Sequence, residues 1–209
     1  MKILVGKIHY PVKNLGLGSH RLGIWLQGCA IHCNGCINKD TWPFDERYEI
    51  ELKELVSTLS KFKRKRVDGV TISGGEPFDQ PEALLALLKY LRNLTDGDIF
   101  VYSGYPYARI SRLHSEILKN IDVLVSEPFI ESVSGRLIWR GSDNQKIHLL
   151  SAMARRLYPK NINKIEYVHR KMQFSVMGDE IFMIGIPARN DMEKLYELLR
   201  QRGLNCGKL

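Results

Sequence analysis

The chain has 209 residues, with 31 Lys and Arg against 23 Asp and Glu, a formal charge of +8. A hydrophobic fraction of 44% and a charged fraction of 26% fit one globular domain with a small addition, and exclude a mainly disordered, collagen-like or membrane-spanning chain. No apolar run approaches the roughly 20 residues of a spanning helix, and Met1–Lys7 carries too short an apolar stretch for a secretory signal, so a cytoplasmic protein with no membrane partner is expected.

In chain order, Leu22–Gln27 reads as a buried strand running into a cysteine-rich loop. Glu49–Lys65 places Leu52, Leu55, Val56, Leu59 and Phe62 at helical spacing. Val70–Ser73 is a short strand ending in Gly74-Gly75, and Pro81–Arg92 is a helix with proline in its tolerant first turn. Asp98–Tyr102 is a strand followed by Ser103-Gly104, Tyr107–Asn120 a helix, and Asp122–Val125 a further strand. Strands without strict alternation, separated by helices, predict an α/β fold with a parallel sheet covered on both faces. Such a sheet, open or closed into a partial barrel, carries its chemistry at the carboxyl ends of the strands. Further on, Phe174–Ile184 reads as a hairpin with Gly178-Asp179 near its turn, and Asp191–Arg202 as a helix closed by Gly203. The expected division is a core over residues 1–150 and an extension over 151–209, the latter without a metal or nucleophile motif.

Two basic stretches bear on partners. Lys61–Arg66 is the densest, and reads either as a phosphate-binding patch or as cations at a solvated helix end, the reading favoured by the turn Val67-Asp68-Gly69. The stretch Lys146–Lys171 includes Arg155, Arg156, Lys160, Lys164 and Arg170, with Glu166 its single acid, and suits an acidic partner. Neither carries aromatic interleaving or a groove-reading motif, so nucleic acid is not the expected partner.

Three of the four cysteines fall in one eight-residue stretch, Cys29-Ala30-Ile31-His32-Cys33-Asn34-Gly35-Cys36, with C-x3-C-x2-C spacing; the fourth, Cys206, is read as a free thiol near the end. Three thiolates on one short loop point to a metal centre. Structural zinc wants four ligands, usually in two separated pairs, and would here need His32 or Cys206 to complete it. An iron–sulfur cluster held by three cysteines keeps one iron without a protein ligand, open to a substrate or cofactor. His32 otherwise reads as a solvated loop residue. The polar segments Ser73-Gly74-Gly75-Glu76-Pro77, Ser103-Gly104-Tyr105 and Ser126-Glu127-Pro128 also each follow a predicted strand, and gather with the cysteine loop on one rim. Gly74-Gly75 would let a ligand approach the backbone, and Glu76 offers an acceptor suited to an ammonium group.

Cys29, Cys33 and Cys36 together with Gly74-Gly75-Glu76-Pro77 resemble the radical S-adenosylmethionine superfamily. Gln27-Gly28-Cys29, Cys33-Asn34-Gly35-Cys36, Asn38-Lys39-Asp40-Thr41-Trp42 and Leu137-Ile138-Trp139-Arg140-Gly141-Ser142-Asp143-Asn144-Gln145 resemble, within it, the anaerobic ribonucleotide reductase activating enzymes, over residues 8–150. The resemblance implies a partial (βα)6-type barrel. It implies a 4Fe-4S cluster on Cys29, Cys33 and Cys36, with S-adenosylmethionine on the fourth iron. Gly74, Gly75 and Glu76, with Ser73 before them, would border the methionine moiety, and the backbone of Gly35, Cys36 and Ile37 would lie against adenine. Ser103 and Gly104 join the same rim. The implied reaction is reductive cleavage to a 5′-deoxyadenosyl radical, which takes hydrogen from a glycine of a partner glycyl radical enzyme, an anaerobic ribonucleotide reductase. The electron would come from an external donor such as flavodoxin or ferredoxin. No residue is singled out as a catalytic acid or base.

Arg140–Gln145 could bind the cofactor or dock a partner; it also reads as a helix start, with Ser142 capping a helix from Asn144. Two features depart from the resembled group: the extension of about sixty residues, and Ser126-Glu127-Pro128 where Asp-Gly is usual. They leave open a radical enzyme acting on another peptide or a small metabolite. A plain electron carrier or a zinc-stabilised module would not require Gly74-Gly75-Glu76-Pro77.

Overall fold

The computed structural model describes residues 1–168, 171–177, 180–188 and 190–203. In chain order its elements are β1 (Lys2–Val12), β2 (Arg21–Leu26), β3 (Glu49–Glu51), α1 (Leu52–Ser60), β4 (Gly69–Gly74), α2 (Pro81–Leu91), β5 (Asp98–Tyr102), α3 (Tyr107–Leu113), α4 (Ser115–Leu118), β6 (Val123–Ser126), β7 (Lys146–Leu149), α5 (Ala152–Leu157), β8 (Gln173–Met177), β9 (Glu180–Ile184) and α6 (Asp191–Gln201). The first seven strands form one sheet in the order β3-β1-β2-β4-β5-β6-β7, and β8 and β9 form a separate hairpin. The four central strands, β2, β4, β5 and β6, run parallel; β1, β3 and β7 add antiparallel edges. The architecture is thus α/β with a mixed sheet whose parallel centre positions every strand end discussed below.

The centre forms because its strands are apolar on both faces. Leu22, Ile24, Leu26, Val70, Ile72, Ile99, Val101 and Leu124 are fully buried and pack with α1 and α2. In α2 the buried set is Ala83, Leu84, Leu87, Leu88 and Leu91, one helical face. Each such leucine contributes roughly 1.5–3 kcal/mol by leaving water. A second cluster, Phe100, Val123, Val125, Trp139, Ile147, Ala154, Tyr158 and Ile162, covers the sheet near β7 and includes side chains beyond residue 150.

Four expectations change. The helix expected from Glu49 begins at Leu52, because Glu49, Ile50 and Glu51 pair as a strand with Leu4, Ile3 and Lys2. The helix expected over Tyr107–Asn120 breaks at His114, whose non-helical backbone separates α3 from α4. The helix expected from Asn144 is absent: Lys146–Leu149 is an edge strand on β6, and the helix starts at Ala152 with Ser151 Oγ accepting the Ala154 N–H. Ser142 is therefore no helix cap; it is buried, and its Oγ accepts from the Ile130 amide. The long strand β1 had no counterpart in the sequence reading. Its apolar residues are interrupted by Lys7 and His9, and its pairing with β2 is bulged between Val5 and Lys7 and between His9 and Val12.

The hairpin and α6 of the extension are both present. Phe182 and Ile184 pack with Val12, Leu15 and Trp25, with Phe182 edge-on to Trp25 at a centroid distance of 5.0 Å. Asn14 fastens the hairpin by donating to the carbonyls of Lys171 and Ile184. Arg170, Gly178-Asp179 and Cys206 lie outside the described residues. No described helix is long and apolar enough to cross a membrane.

Candidate functional site

The carboxyl ends of the parallel strands meet because their backbones are tied to one another. Gly75 N–H donates to Leu26 O and Glu76 N–H to Gly28 O, each at 2.8 Å, which joins the end of β4 to the start of the cysteine loop. This contact explains both glycines. Gly74 has φ +106°, and a Cβ on it would stand 2.3 Å from Leu26 O; a Cβ on Gly75 would stand 2.0 Å from Gly28 O. The space a side chain would need is taken by the chain's own backbone, so what forces glycine here is strand-end packing rather than room for a ligand.

Glu76 is the centre of this rim. It is 1% exposed, and its carboxylate accepts from the Phe78 amide at 3.0 Å, the Ser103 hydroxyl at 2.8 Å and the Gly104 amide at 2.7 Å. Burial pushes its pKa up to about 7, against the opposing pull of the three donors. Ser103 and Gly104 therefore belong to the same rim as Glu76, with β4 and β5 joined through one carboxylate. Asp79, which the sequence reading did not single out, does a parallel job. Its Oδ2 accepts from the Ala30 amide of the cysteine loop at 2.7 Å and its Oδ1 from the Tyr105 hydroxyl at 2.6 Å. Its place three residues after Glu76 was the available signal. Gln27, at the end of β2, has a structural reason the motif does not show: its side-chain amide donates to Asp40 O and Pro43 O and folds the segment after the cysteines back onto β2.

Cys29 is buried, while Cys33 and Cys36 are half-buried. The loop is pinned by Cys29 N–H to Trp42 O at 2.9 Å and turned by Cys36 N–H to Cys33 O at 3.1 Å. Burial pushes the Cys29 thiol up, while the amides of Ile31 and His32 favour its thiolate; burial likewise raises Cys33, and the Phe129 amide favours its thiolate. Amide donors aimed at sulfur, and thiol donors only, suit an iron–sulfur centre. Among the described residues no three His, Cys, Asp or Glu side chains stand together as a cage for one ion. His32 is exposed and stacks on Trp42 at a centroid distance of 4.6 Å, as befits a loop residue.

A cavity of about 650 Å³ opens beside this loop. Gly35, Cys36, Ile37 and Ser73 line it, whereas Cys29, Cys33, Gly74, Gly75, Glu76, Ser103 and Gly104 stand outside its lining. Trp25 and Tyr102 also line it, and the Tyr102 hydroxyl is buried without a hydrogen-bond partner among the described residues. Gly35, at φ +74°, leaves room for the Glu131 carboxylate, which a Cβ would meet at 2.9 Å. The segment 129–134 forms one wall. Residues 140–145 hold that wall in place: Gln145 accepts from the Gly141 amide and donates to Glu127 O, Asn144 donates to Pro128 O, and Arg140 donates to Gln145 O and Asn163 O. Residues 183–188, 190, 192 and 193 form another part of the lining, including Met183, Ile186, Pro187 and Glu193.

Comparison with known proteins agrees with this chemistry. A sequence-family profile described as a 4Fe-4S single cluster domain matches residues 15–148. The chain is 33% identical over 147 residues to the anaerobic ribonucleoside-triphosphate reductase-activating protein of Vibrio cholerae, covering 67% of this chain and 94% of that one. It is 32% identical over 152 residues to the protein of that name from Escherichia coli, covering 68% and 96%, and 34% identical over 154 residues to that of Pasteurella multocida, covering 67% and 94%. By its cluster domain and by these relatives, the chain belongs to the 4Fe-4S single cluster domain family, among the anaerobic ribonucleoside-triphosphate reductase-activating proteins.

Proposed function

We propose that this protein activates an anaerobic ribonucleotide reductase by radical S-adenosylmethionine chemistry, with Cys29, Cys33 and Cys36 holding a 4Fe-4S cluster. Held by Cys29, Cys33 and Cys36, the cluster would supply one-electron reductive cleavage of S-adenosylmethionine, the radical chemistry needed to take hydrogen from a glycine of the reductase. The observation that carries this reading is the thiol-only loop. It offers three sulfur donors, two of them facing backbone amides, beside a cavity large enough for a cofactor and a peptide segment.

The chain's own residues position and exclude. Gly35, Cys36 and Ile37 give the adenine side of the cavity a backbone surface, and Ser73 lines it at the end of β4. Glu76 braces Ser103 and Gly104, and its fourth lone-pair position remains for the amino group of the methionine moiety, bordered by Gly74 and Gly75. The half-buried loop, the wall at 129–134 and the lining residues 183–188, 190, 192 and 193 limit water at the reacting atoms. Flavodoxin or ferredoxin is the proposed class of electron donor. The sheet is read as a shortened relative of the partial (βα)6-type barrel, with residues 1–150 as the radical core and 151–209 as an addition. A second reading, hydrogen abstraction from another peptide or a small metabolite, is favoured by one observation: residues 183–188, 190, 192 and 193 line the cavity although the family profile ends at residue 148.

The test is anaerobic reconstitution, reduction and addition of S-adenosylmethionine. The proposal expects 5′-deoxyadenosine, and a glycyl doublet by electron paramagnetic resonance when the reductase is present. No nucleoside product removes both readings; product without the doublet favours the second.

A further inference from the structure

The proposed reaction brings two partners to one loop. The hydrogen-bearing segment needs the cavity, which Gly35, Cys36 and Ile37 line on one side of the cysteine loop. The electron has to arrive from another side, because a carrier seated over the cavity would keep that segment out. Electron transfer weakens steeply with distance, so the carrier must touch the protein beside the loop.

The stretch Ala30–His32 meets this need. None of its three residues lines the cavity, and Ala30 and His32 are exposed. It is braced against the end of β5 and the start of α3. The Ile31 side chain lies over Gly104, where a Cβ would stand 2.8 Å from it. The Ala30 amide donates to Asp79 Oδ2, and the Tyr105 hydroxyl donates to Asp79 Oδ1. The guanidinium of Arg109 in turn lies over the Tyr105 ring, 3.8 Å from its centroid. Arg112 and Leu113 follow Arg109 at the three- and four-residue spacing that shares one helical face. Both arginines are exposed, and Leu113 is 55% exposed between them and solvent. Neither arginine forms an ion pair among the described residues. Asp79, the acid in this chain of contacts, already accepts two hydrogen bonds. Two unanswered cations around one apolar side chain match a partner whose contact surface is acidic.

We propose that the face of α3 carrying Arg109, Arg112 and Leu113, with the adjoining Ala30 and His32, is the docking surface for an acidic one-electron carrier protein. The proposal rests on the radical reading of the cysteine loop and names the surface that supplies its electron. In this step the reduced carrier loses one electron, the cluster held by the cysteines gains it, and no bond forms or breaks. The cavity stays open to the hydrogen donor throughout.

The test uses the full chain, reconstituted without oxygen, with a flavodoxin of net negative charge as probe and dithionite as a small reductant that needs no docking surface. Arg109→Glu combined with Arg112→Glu should lower flavodoxin affinity at least tenfold at low salt and remove most of its dependence on ionic strength. Reduction by flavodoxin slows with it, whereas iron content, dithionite-driven 5′-deoxyadenosine formation and affinity for the reductase stay unchanged. Equal flavodoxin affinity and equal salt dependence in wild type and variant overturn the proposal. A loss of reductase affinity with flavodoxin affinity unchanged assigns the face to the reductase and also overturns it. Wild-type protein that binds neither an acidic flavodoxin nor an acidic ferredoxin overturns it as well. Dithionite-reduced wild type that yields no 5′-deoxyadenosine removes the radical reading instead, and is told apart because it leaves the carrier affinities as measured. Should the pair of charges disturb the loop, seen as lost iron, Arg112→Glu alone decides: it makes none of the bracing contacts, and at least a threefold loss of affinity supports the surface while no loss refutes it.

Discussion

The two ends of the parallel strands are built on opposite principles. At the amino end, Arg21 is fully buried and every polar group around it is answered. It donates to both carboxylate oxygens of Asp98 at 2.7 and 3.1 Å, to Thr71 Oγ1 at 2.8 Å, and to the carbonyls of Leu17 and Val70. Tyr158 closes the set by donating to Asp98 Oδ2 at 2.8 Å. At the carboxyl end, Glu76 is as deeply buried but pairs with no cation among the described residues, the Tyr102 hydroxyl has no hydrogen-bond partner among them, and three thiols stand on a loop with left-handed residues at His32 and Gly35. One end is a finished electrostatic lock across β2, β4 and β5. The other keeps unspent donor and acceptor capacity, which is what a ligand site needs.

The largest expected effect belongs to the carboxyl end. Cys29→Ala, Cys33→Ala and Cys36→Ala should each abolish the brown chromophore and S-adenosylmethionine cleavage while leaving the fold in place; full cleavage by any one of them removes that residue from the ligand set. Arg21→Met tests the other end. It strands Asp98 in the core, so a loss of about 3–5 kcal/mol in chemical unfolding is expected, with iron per folded chain unchanged. A loss of iron without a loss of stability would erase the contrast between the ends.

Glu76 sharpens the comparison. Its carboxyl is raised from 4.5 to about 7 by burial, so the folded state holds a proton that the unfolded state releases. Stability is full below about pH 4.5, falls as pH rises toward 7, and levels off above it, a change of about 3 kcal/mol at most. Glu76→Gln should flatten that slope in urea unfolding, keep the cluster, and weaken S-adenosylmethionine binding about tenfold; unchanged affinity would confine Glu76 to bracing Ser103 and Gly104. The smallest effect is expected of His32→Ala. It removes a stacked pair on Trp42 worth about 1 kcal/mol and leaves iron content unaltered, which metal analysis checks.

Much of this was legible in the residues because the parallel centre writes itself as apolar runs between helices. Val70–Ser73 and Asp98–Tyr102 are buried on both faces and needed no partner to be recognised. The edges were less legible. β1 mixes lysines and histidine with apolar residues over two bulges, and Glu49–Glu51 joins the sheet only because β1 is beside it. Lys146–Leu149 is a strand for the same reason, its pairing with β6 overriding a plausible cap at Ser142. In the site, the cysteine spacing and Gly74-Gly75-Glu76 were visible as motifs, but their local reason was not. That Gly75 must pass against Gly28 O, or that Asp79 holds Ala30, depends on contacts about 50 residues apart in the chain. The wall contributed by residues 183–188, 190, 192 and 193 carried no chemical motif, since most of it is apolar side chains and a glycine, with Asn190 and Glu193 the polar members.

The most direct measurement is the metal content of protein purified and reconstituted without oxygen. The account predicts four iron and four acid-labile sulfide per chain, as a 4Fe-4S cluster requires, with a cluster signal in electron paramagnetic resonance that changes when S-adenosylmethionine is added. One zinc per chain, or a cluster signal indifferent to S-adenosylmethionine, would contradict it.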